Sequence, residues 1–179
     1  MVDTIYSDMP SFDNDDKSAE AVIAQVLEYE TSSQVKSYLN RMSDIRQSVD
    51  QQDFEGLKIA VSSLITYRIT SVERSLHRGN NEGIDSVLRT IQQDAALALV
   101  ELNNMEGQNQ TYTKDGTVIQ TPIVRFLSRE IKDRENNANR YETKGNNDRS
   151  KILKREGVIL KQAYRQILGK KYSGKGKEA

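Results

Sequence analysis

Seven basic side chains lie close together near the carboxyl end of the sequence, at a spacing that suits a binding surface. Residues three or four apart share one face of a helix, where cations can contact successive phosphates of a nucleic acid. Tyr172 lies beside the last of them and could stack on a base. A surface for an acidic protein, or a solvated helix face, explains the same pattern. The seven are Lys151, Lys154, Arg155, Lys161, Arg165, Lys170 and Lys171.

Charge is unevenly distributed along the chain, which has 26 basic and 26 acidic residues. Residues 1–30 carry a net charge of −7, residues 31–148 carry −1, and residues 149–179 carry +8. Such asymmetry is typical of interaction tails, and an acidic arm can compete for a surface that binds a polyanion. The alternative interpretation is two solvated tails that keep a neutral protein soluble.

Motifs for catalysis and metal binding are missing from the sequence. The chain has no cysteine and one histidine, His77, which excludes disulfides, thiolate metal sites and sites built from several histidines. No glycine-rich loop lies between a strand pattern and a helix pattern. Glu130 and Asp133 could form a carboxylate pair, but the basic residues around them favour a surface held by salt bridges. We expect no enzymatic activity, no cofactor and no metal ion.

Hydrophobic periodicity predicts an all-α fold. Apolar residues recur every three or four positions in segments that begin near residues 18, 34, 53, 84, 122 and 148. Gly79 and Gly169 are typical helix ends, Thr121-Pro122 is a typical helix start, and Asp148 is expected to cap the last helix. We predict an irregular bundle of four to five helices. No run of about 18 apolar residues is present, so no membrane span is expected.

Two features are expected between residues 84 and 119. The stretch from Ile84 to Met105 has an unbroken apolar stripe and an alanine-rich face, which favours it as the central helix. Residues 111–119 hold Asp115-Gly116 between strand-forming residues, a pattern that predicts a small β-hairpin. An isolated hairpin is marginal in water, so this one should lie on the helices or pair with another chain.

Residues 121–156, TPIVRFLSREIKDRENNANRYETKGNNDRSKILKRE, carry a gap-free helical motif. Its residues are Glu130, Ile131, Lys132, Arg134, Tyr141, Glu142, Gly145, Asp148 and Glu156. The segment resembles the YqeY-like family, which is related to the tail region of the GatB subunit of the tRNA-dependent amidotransferase. Residues 53–73 are similar to the first long helix of that family.

The resemblance implies a helical hairpin over residues 121–168, no catalytic residues and a link to tRNA. Lys132 and Arg134 belong to the matched motif, and they join the candidate binding residues. The chain also departs from the family, because residues 83–120 would be an insertion. A basic tail replaces the small helical domain that is thought to contact tRNA in the amidotransferase.

Together these patterns predict one helical domain at 18–169 between flexible charged tails at 1–17 and 170–179. We expect a cytoplasmic accessory or adaptor protein that binds tRNA, other RNA or a tRNA-linked complex through its basic last helix and tail. The alternative is an assembly protein that self-associates through its oppositely charged ends. Its modest hydrophobic content of 36% would then be supplemented by contacts between copies.

Overall fold

The computed structural model describes residues 18–32, 38–79, 82–106, 113–114, 117–169 and 172. Over these ranges the protein is all-α, which confirms the predicted fold class. They contain six helices, one for each of the six segments with helical periodicity and one more than the four to five predicted for the bundle. The helices are α1 (Ala19–Ser32), α2 (Tyr38–Asp50), α3 (Phe54–Arg78), α4 (Glu82–Asn103), α5 (Pro122–Thr143) and α6 (Asn147–Leu168).

Local polar contacts set the ends of the long helices. The Asp53 side chain accepts a hydrogen bond from the Gly56 amide at 3.0 Å and begins α3. Gly79 ends that helix with a φ of 46°, a left-handed conformation that glycine adopts without strain. Asn146 caps α6 by accepting from the Arg149 amide at 3.3 Å. The expected cap, Asp148, instead lies inside the first turn of α6.

The central helix is α3, and the expectation that α4 would be central is wrong. Residues 60–66 of α3 are all buried, so this part of the helix is surrounded on every side. It packs against α1, α2, α4 and α6. In α4 the apolar stripe is buried only in the second half, at residues such as Ala95 and Leu102. Ile84 and Val87, in its first turns, are 52% and 58% exposed.

Two short strands follow α4 and pair with each other. They are β1 (Thr113–Lys114) and β2 (Thr117–Val118), which run antiparallel. Val118 packs against the edge of the helical core. The expected turn at Asp115-Gly116 lies outside the described residues, as do the tails at 1–17 and 170–179 except for Tyr172.

One apolar core runs through all six helices of the described chain. The helices α5 and α6 form an antiparallel hairpin, and α6 also packs against α2, where the Gln166 amide donates to the Val49 carbonyl at 2.8 Å. This packing buries one side of α6 along its length and leaves the other side to solvent. Within the described ranges no helix has the length and hydrophobicity needed to cross a membrane.

Candidate nucleic-acid interface

The outer side of α6 carries a row of cations. Lys151, Lys154, Arg155 and Arg165 are exposed, and Lys161 is half-buried at the edge of the row. These five residues are called the α6 basic face below. The first and last of them are 14 positions apart, which at a rise of about 1.5 Å per residue is roughly 21 Å of helix. The side of α6 that packs on α5 and α2 is apolar, and this packing turns the cations outward.

Of the two carboxylates of α6, one is turned away from this face and the other stands at its beginning. Asp148 lies in the first turn, before the row of cations begins, and Glu156 is buried on the opposite side with 7% exposure. Val158 is 53% exposed and lies between Arg155 and Arg165 on the same side of the helix. The face thus combines cations with an apolar contact point, and it suits a ligand with negative charge and flat apolar surfaces.

Two cations of the α6 basic face are already paired with α5. The Lys154 Nζ atom lies 2.9 Å from Glu142 Oε2, and the Lys161 Nζ atom lies 2.5 Å from Glu135 Oε1. The other three form no ion pair with any residue that the structure describes: Lys151, Arg155 and Arg165. The row therefore has two kinds of cation, which differ in whether a carboxylate must be displaced before a ligand binds.

Tyr172 packs back on the end of α6. Its ring meets that of Tyr164 edge-on at 5.4 Å between centroids, and the Lys161 Nζ atom lies 5.8 Å from the Tyr172 ring centre. Burial raises the pKa of both hydroxyls above the ordinary tyrosine value. Both side chains are neutral at pH 7. The Tyr172 ring thus lies beside Lys161 of the α6 basic face and in contact with the Tyr164 ring. Lys170 and Lys171 lie outside the described residues.

The two candidate binding residues on α5 differ in exposure, since one is on the surface and the other is buried. Lys132 is exposed, three residues before Glu135. Arg134 is 3% exposed, so its assignment to a binding surface is wrong. The physical reason is visible in the spacing, because position 134 falls on the same helix face as the buried residues Ile131 and Ala138. A basic residue at core spacing indicates a buried ion pair, and that pattern was available in the sequence.

Arg134 belongs to a buried ion cluster that joins α3 and α5. Arg68 of α3 donates two hydrogen bonds to Glu130, from Nε to Oε1 at 2.6 Å and from Nη2 to Oε2 at 3.0 Å. Arg134 Nη1 donates to Glu130 Oε2 at 2.6 Å, and its Nη2 lies 3.8 Å from the Met42 sulfur of α2. The salt bridges expected around Glu130 therefore lie in the interior rather than on a surface. Arg68 was not among the residues predicted from the sequence, because it stands within the apolar run of α3.

The charge state of Glu130 follows from this geometry. Burial alone would raise its pKa, but the guanidinium groups of Arg68 and Arg134 outweigh burial and hold the pKa below its ordinary value. Partial burial raises the pKa of the nearby Asp133, and the Glu130 carboxylate adds to that effect. Glu130 is a fixed anion with both oxygens bonded, which makes it a weak base. In the described part of the chain, no group of three or more His, Asp or Glu residues is placed to hold a metal ion.

Comparisons of this protein with protein-family models, with curated proteins and with solved structures found no match. The resemblance to the YqeY-like family stays a prediction that rests on residues 121–156. Three residues of its motif, Glu130, Arg134 and Glu156, are buried in this chain. These three positions can be explained by packing, whereas Lys151, Arg155 and Arg165 of α6 are exposed to solvent.

Proposed function

We propose that the protein is a non-catalytic adaptor that binds RNA through the α6 basic face. The observation that carries the proposal is the row of five cations on one side of α6, where the only α6 carboxylate on that side, Asp148, stands in the first turn before the row begins. The resemblance of residues 121–156 favours tRNA, or a complex linked to tRNA, as the ligand. A cytoplasmic location is part of the proposal because a chain without cysteine fits a reducing compartment.

Binding of this kind would be driven by the phosphate backbone. Lysine and arginine that neutralise phosphates release counterions, so affinity falls with salt in proportion to the number of contacts. The three cations without an ion pair predict a slope of at least about −2 for log affinity against log salt, at about 0.7 per contact on a single strand. Because no base edge is read by such contacts, the proposal predicts little sequence preference.

A charge-reversal experiment tests the proposal. Fluorescence anisotropy would measure the binding of labelled tRNA and of a single-stranded RNA to the wild-type chain and to K151E/R155E/R165E. We expect the variant to lose more than about tenfold in affinity near 100 mM salt. The matched control is R46E/R74E/R89E, which reverses three exposed cations on α2, α3 and α4 and changes net charge equally.

The control decides the outcome. Retention of RNA affinity within about threefold by R46E/R74E/R89E would assign the binding to α6. An equal loss in both triple variants would show a general effect of net charge, and the proposed site would be wrong. Binding of an acidic protein but no RNA would replace the proposal by the adaptor for an acidic surface.

Self-association is the second candidate, and the start of α4 favours it. Ile84 and Val87 are more than half exposed on an otherwise core-forming stripe, as expected of a surface that another chain covers. Light scattering at low and high salt would test it. An oligomer that persists in high salt and dissociates in I84Q/V87Q would support an apolar contact, whereas one that dissociates in high salt would support the charged ends. A monomer in both conditions would exclude self-association.

A further inference from the structure

We propose that Glu135 and Glu142 are internal competitors that restrict the α6 basic face to ligands of higher charge density than a protein carboxylate. The ligand class that meets this condition is a phosphodiester chain. The proposal rests on the function proposed above, and it adds a reason why the site would take nucleic acid in preference to an acidic protein.

The hairpin of α5 and α6 places these carboxylates in register with two of the cations. Glu135 and Glu142 are seven residues apart on α5, and their partners Lys161 and Lys154 are seven residues apart on α6. Seven residues are two helical turns, so each helix presents the pair along one edge. Because α5 and α6 run antiparallel, both ion pairs form at once, at 2.9 Å and 2.5 Å.

Both ion pairs are open to a competing ligand. The side chains of Lys154 and Glu142 are 52% and 55% exposed, and those of Lys161 and Glu135 are each 42% exposed. An exposed pair of this kind is weak, because water and salt screen it. A ligand can therefore reach either lysine and take the place of the glutamate without unfolding the hairpin.

The replacement of a glutamate on Lys154 or Lys161 by a ligand favours phosphodiester groups over carboxylates. An acidic protein offers carboxylates, so replacing Glu142 on Lys154 exchanges one carboxylate for an equivalent one and gains little. The displaced glutamate repels any incoming anion, whether carboxylate or phosphate. Both ligands can also contact the three cations that form no ion pair, but a phosphodiester chain gains in addition from the release of its condensed counterions. The glutamates thus weaken binding of both ligands, but only the protein ligand lacks a compensating gain.

The test removes the two competitors without changing side-chain size. Binding of a single-stranded oligonucleotide and of a polyglutamate peptide with the same number of charges would be measured for the wild-type chain and for E135Q/E142Q. The control, E20Q/E55Q, removes two exposed carboxylates from α1 and α3, where no cation of the α6 basic face lies. Circular dichroism and thermal unfolding would check that all three proteins are folded.

We expect wild type to bind the oligonucleotide more tightly than polyglutamate. E135Q/E142Q should bind the oligonucleotide about two- to 25-fold more tightly than wild type, since each exposed pair accounts for a factor of about 1.5 to 5, and its binding of polyglutamate should also strengthen. E20Q/E55Q should stay within about twofold of wild type. Equal gains in both variants, or no gain in E135Q/E142Q, would overturn the competitor role.

The failure of the proposed function would look different. If wild type bound no oligonucleotide and E135Q/E142Q did, the carboxylates would be competitors strong enough to block the site, and RNA binding by the native chain would be wrong. If neither protein bound either polyanion, both proposals would be wrong.

Discussion

The interior of the protein and the surface of α6 both contain ion pairs between basic residues and glutamate. The glutamate is buried in the interior pairs and exposed to solvent in the surface pairs. In the interior, Glu130 is 2% exposed and accepts hydrogen bonds from Arg68 and Arg134. On the surface, Glu142 and Lys154 are each more than half exposed and share one hydrogen bond. The comparison separates the effect of burial from that of charge, because the two regions use similar groups at similar distances.

Desolvation explains why the two regions have different roles. A buried carboxylate has lost its water, so it depends on its guanidinium partners and fixes the helices that carry them. An exposed carboxylate keeps most of its water, so its partner can leave at little cost. The buried cluster is suited to holding α3 and α5 together, whereas the surface pairs are suited to exchange with a ligand.

Removing the buried anion should have the largest effect. In E130Q the guanidinium groups of Arg68 and Arg134 would lose the charge that compensates them, and we expect the free energy of unfolding to fall by about 3–5 kcal/mol. Urea denaturation followed by circular dichroism would measure the loss. E142Q is the matched control on the same helix and should lose less than about 1 kcal/mol. A similar, small loss in both variants would remove the distinction between the two regions.

Acid should weaken the buried cluster in a predictable direction. The pKa of Glu130 is lowered in the folded chain, so its pairing stabilises the fold above its ordinary pKa of 4.5 and is lost as pH falls from there through the folded value. Unfolding in urea between pH 7 and pH 3 should show a steeper loss in wild type than in E130Q. Asp133, with a raised pKa, opposes the trend, so D133N should lose stability more steeply than wild type. Parallel curves for wild type and E130Q would contradict the assignment.

Two lysines of the α6 basic face offer a smaller and closely matched test. Lys151 forms no ion pair with a described residue, whereas Lys154 is held by Glu142. K151Q removes a phosphate contact outright and should weaken RNA binding by about fivefold, with the salt slope reduced by about 0.7. K154Q also removes a contact, but the ligand no longer has an ion pair to break, so its loss should be smaller. A larger loss in K154Q would contradict the competitor role of Glu142.

The surface of the molecule was easier to predict from sequence than its interior ion cluster. Helical spacing alone indicates that Lys151, Arg155 and Arg165 share a face, because that inference needs only the geometry of one helix. The bond between Arg68 and Glu130 joins residues 62 positions apart, and no local pattern specifies which helices will meet. The assignment of Arg134 to the surface was wrong because it relied on the positive charge of the residue. The helical spacing of Arg134 matches that of the buried residues Ile131 and Ala138.

The same limit explains the error about the central helix. A stripe on α4 such as Ile84, Val87 and Ala95 shows that one face is apolar, but it does not show how far along the helix a neighbour extends. In α3 the mixture of serine, threonine and β-branched residues resembles a strand, yet residues 60–66 are buried all round. The apolar residues of α3 still recur at helical spacing, which predicts the helix, but burial on every side cannot be read from the positions of one stripe.

The interaction energy between the two partners of an ion pair is the smallest effect that we expect. It compares the surface pair directly with the buried pair. A double-mutant cycle with K154Q, E142Q and the double variant should give a coupling of about 0.2–1 kcal/mol in unfolding experiments, falling toward zero in 1 M salt. The same cycle on Arg68 and Glu130 should give a larger coupling that salt changes less, because the Glu130 side chain is 3% exposed and the Arg68 side chain is 29% exposed. If instead the surface coupling equalled the buried one and resisted salt, Glu142 would hold Lys154 too firmly for a ligand to displace it. Exchange at the α6 basic face would then require a conformational change in the hairpin, and the distinction between a structural and an exchangeable ion pair would not follow from exposure alone.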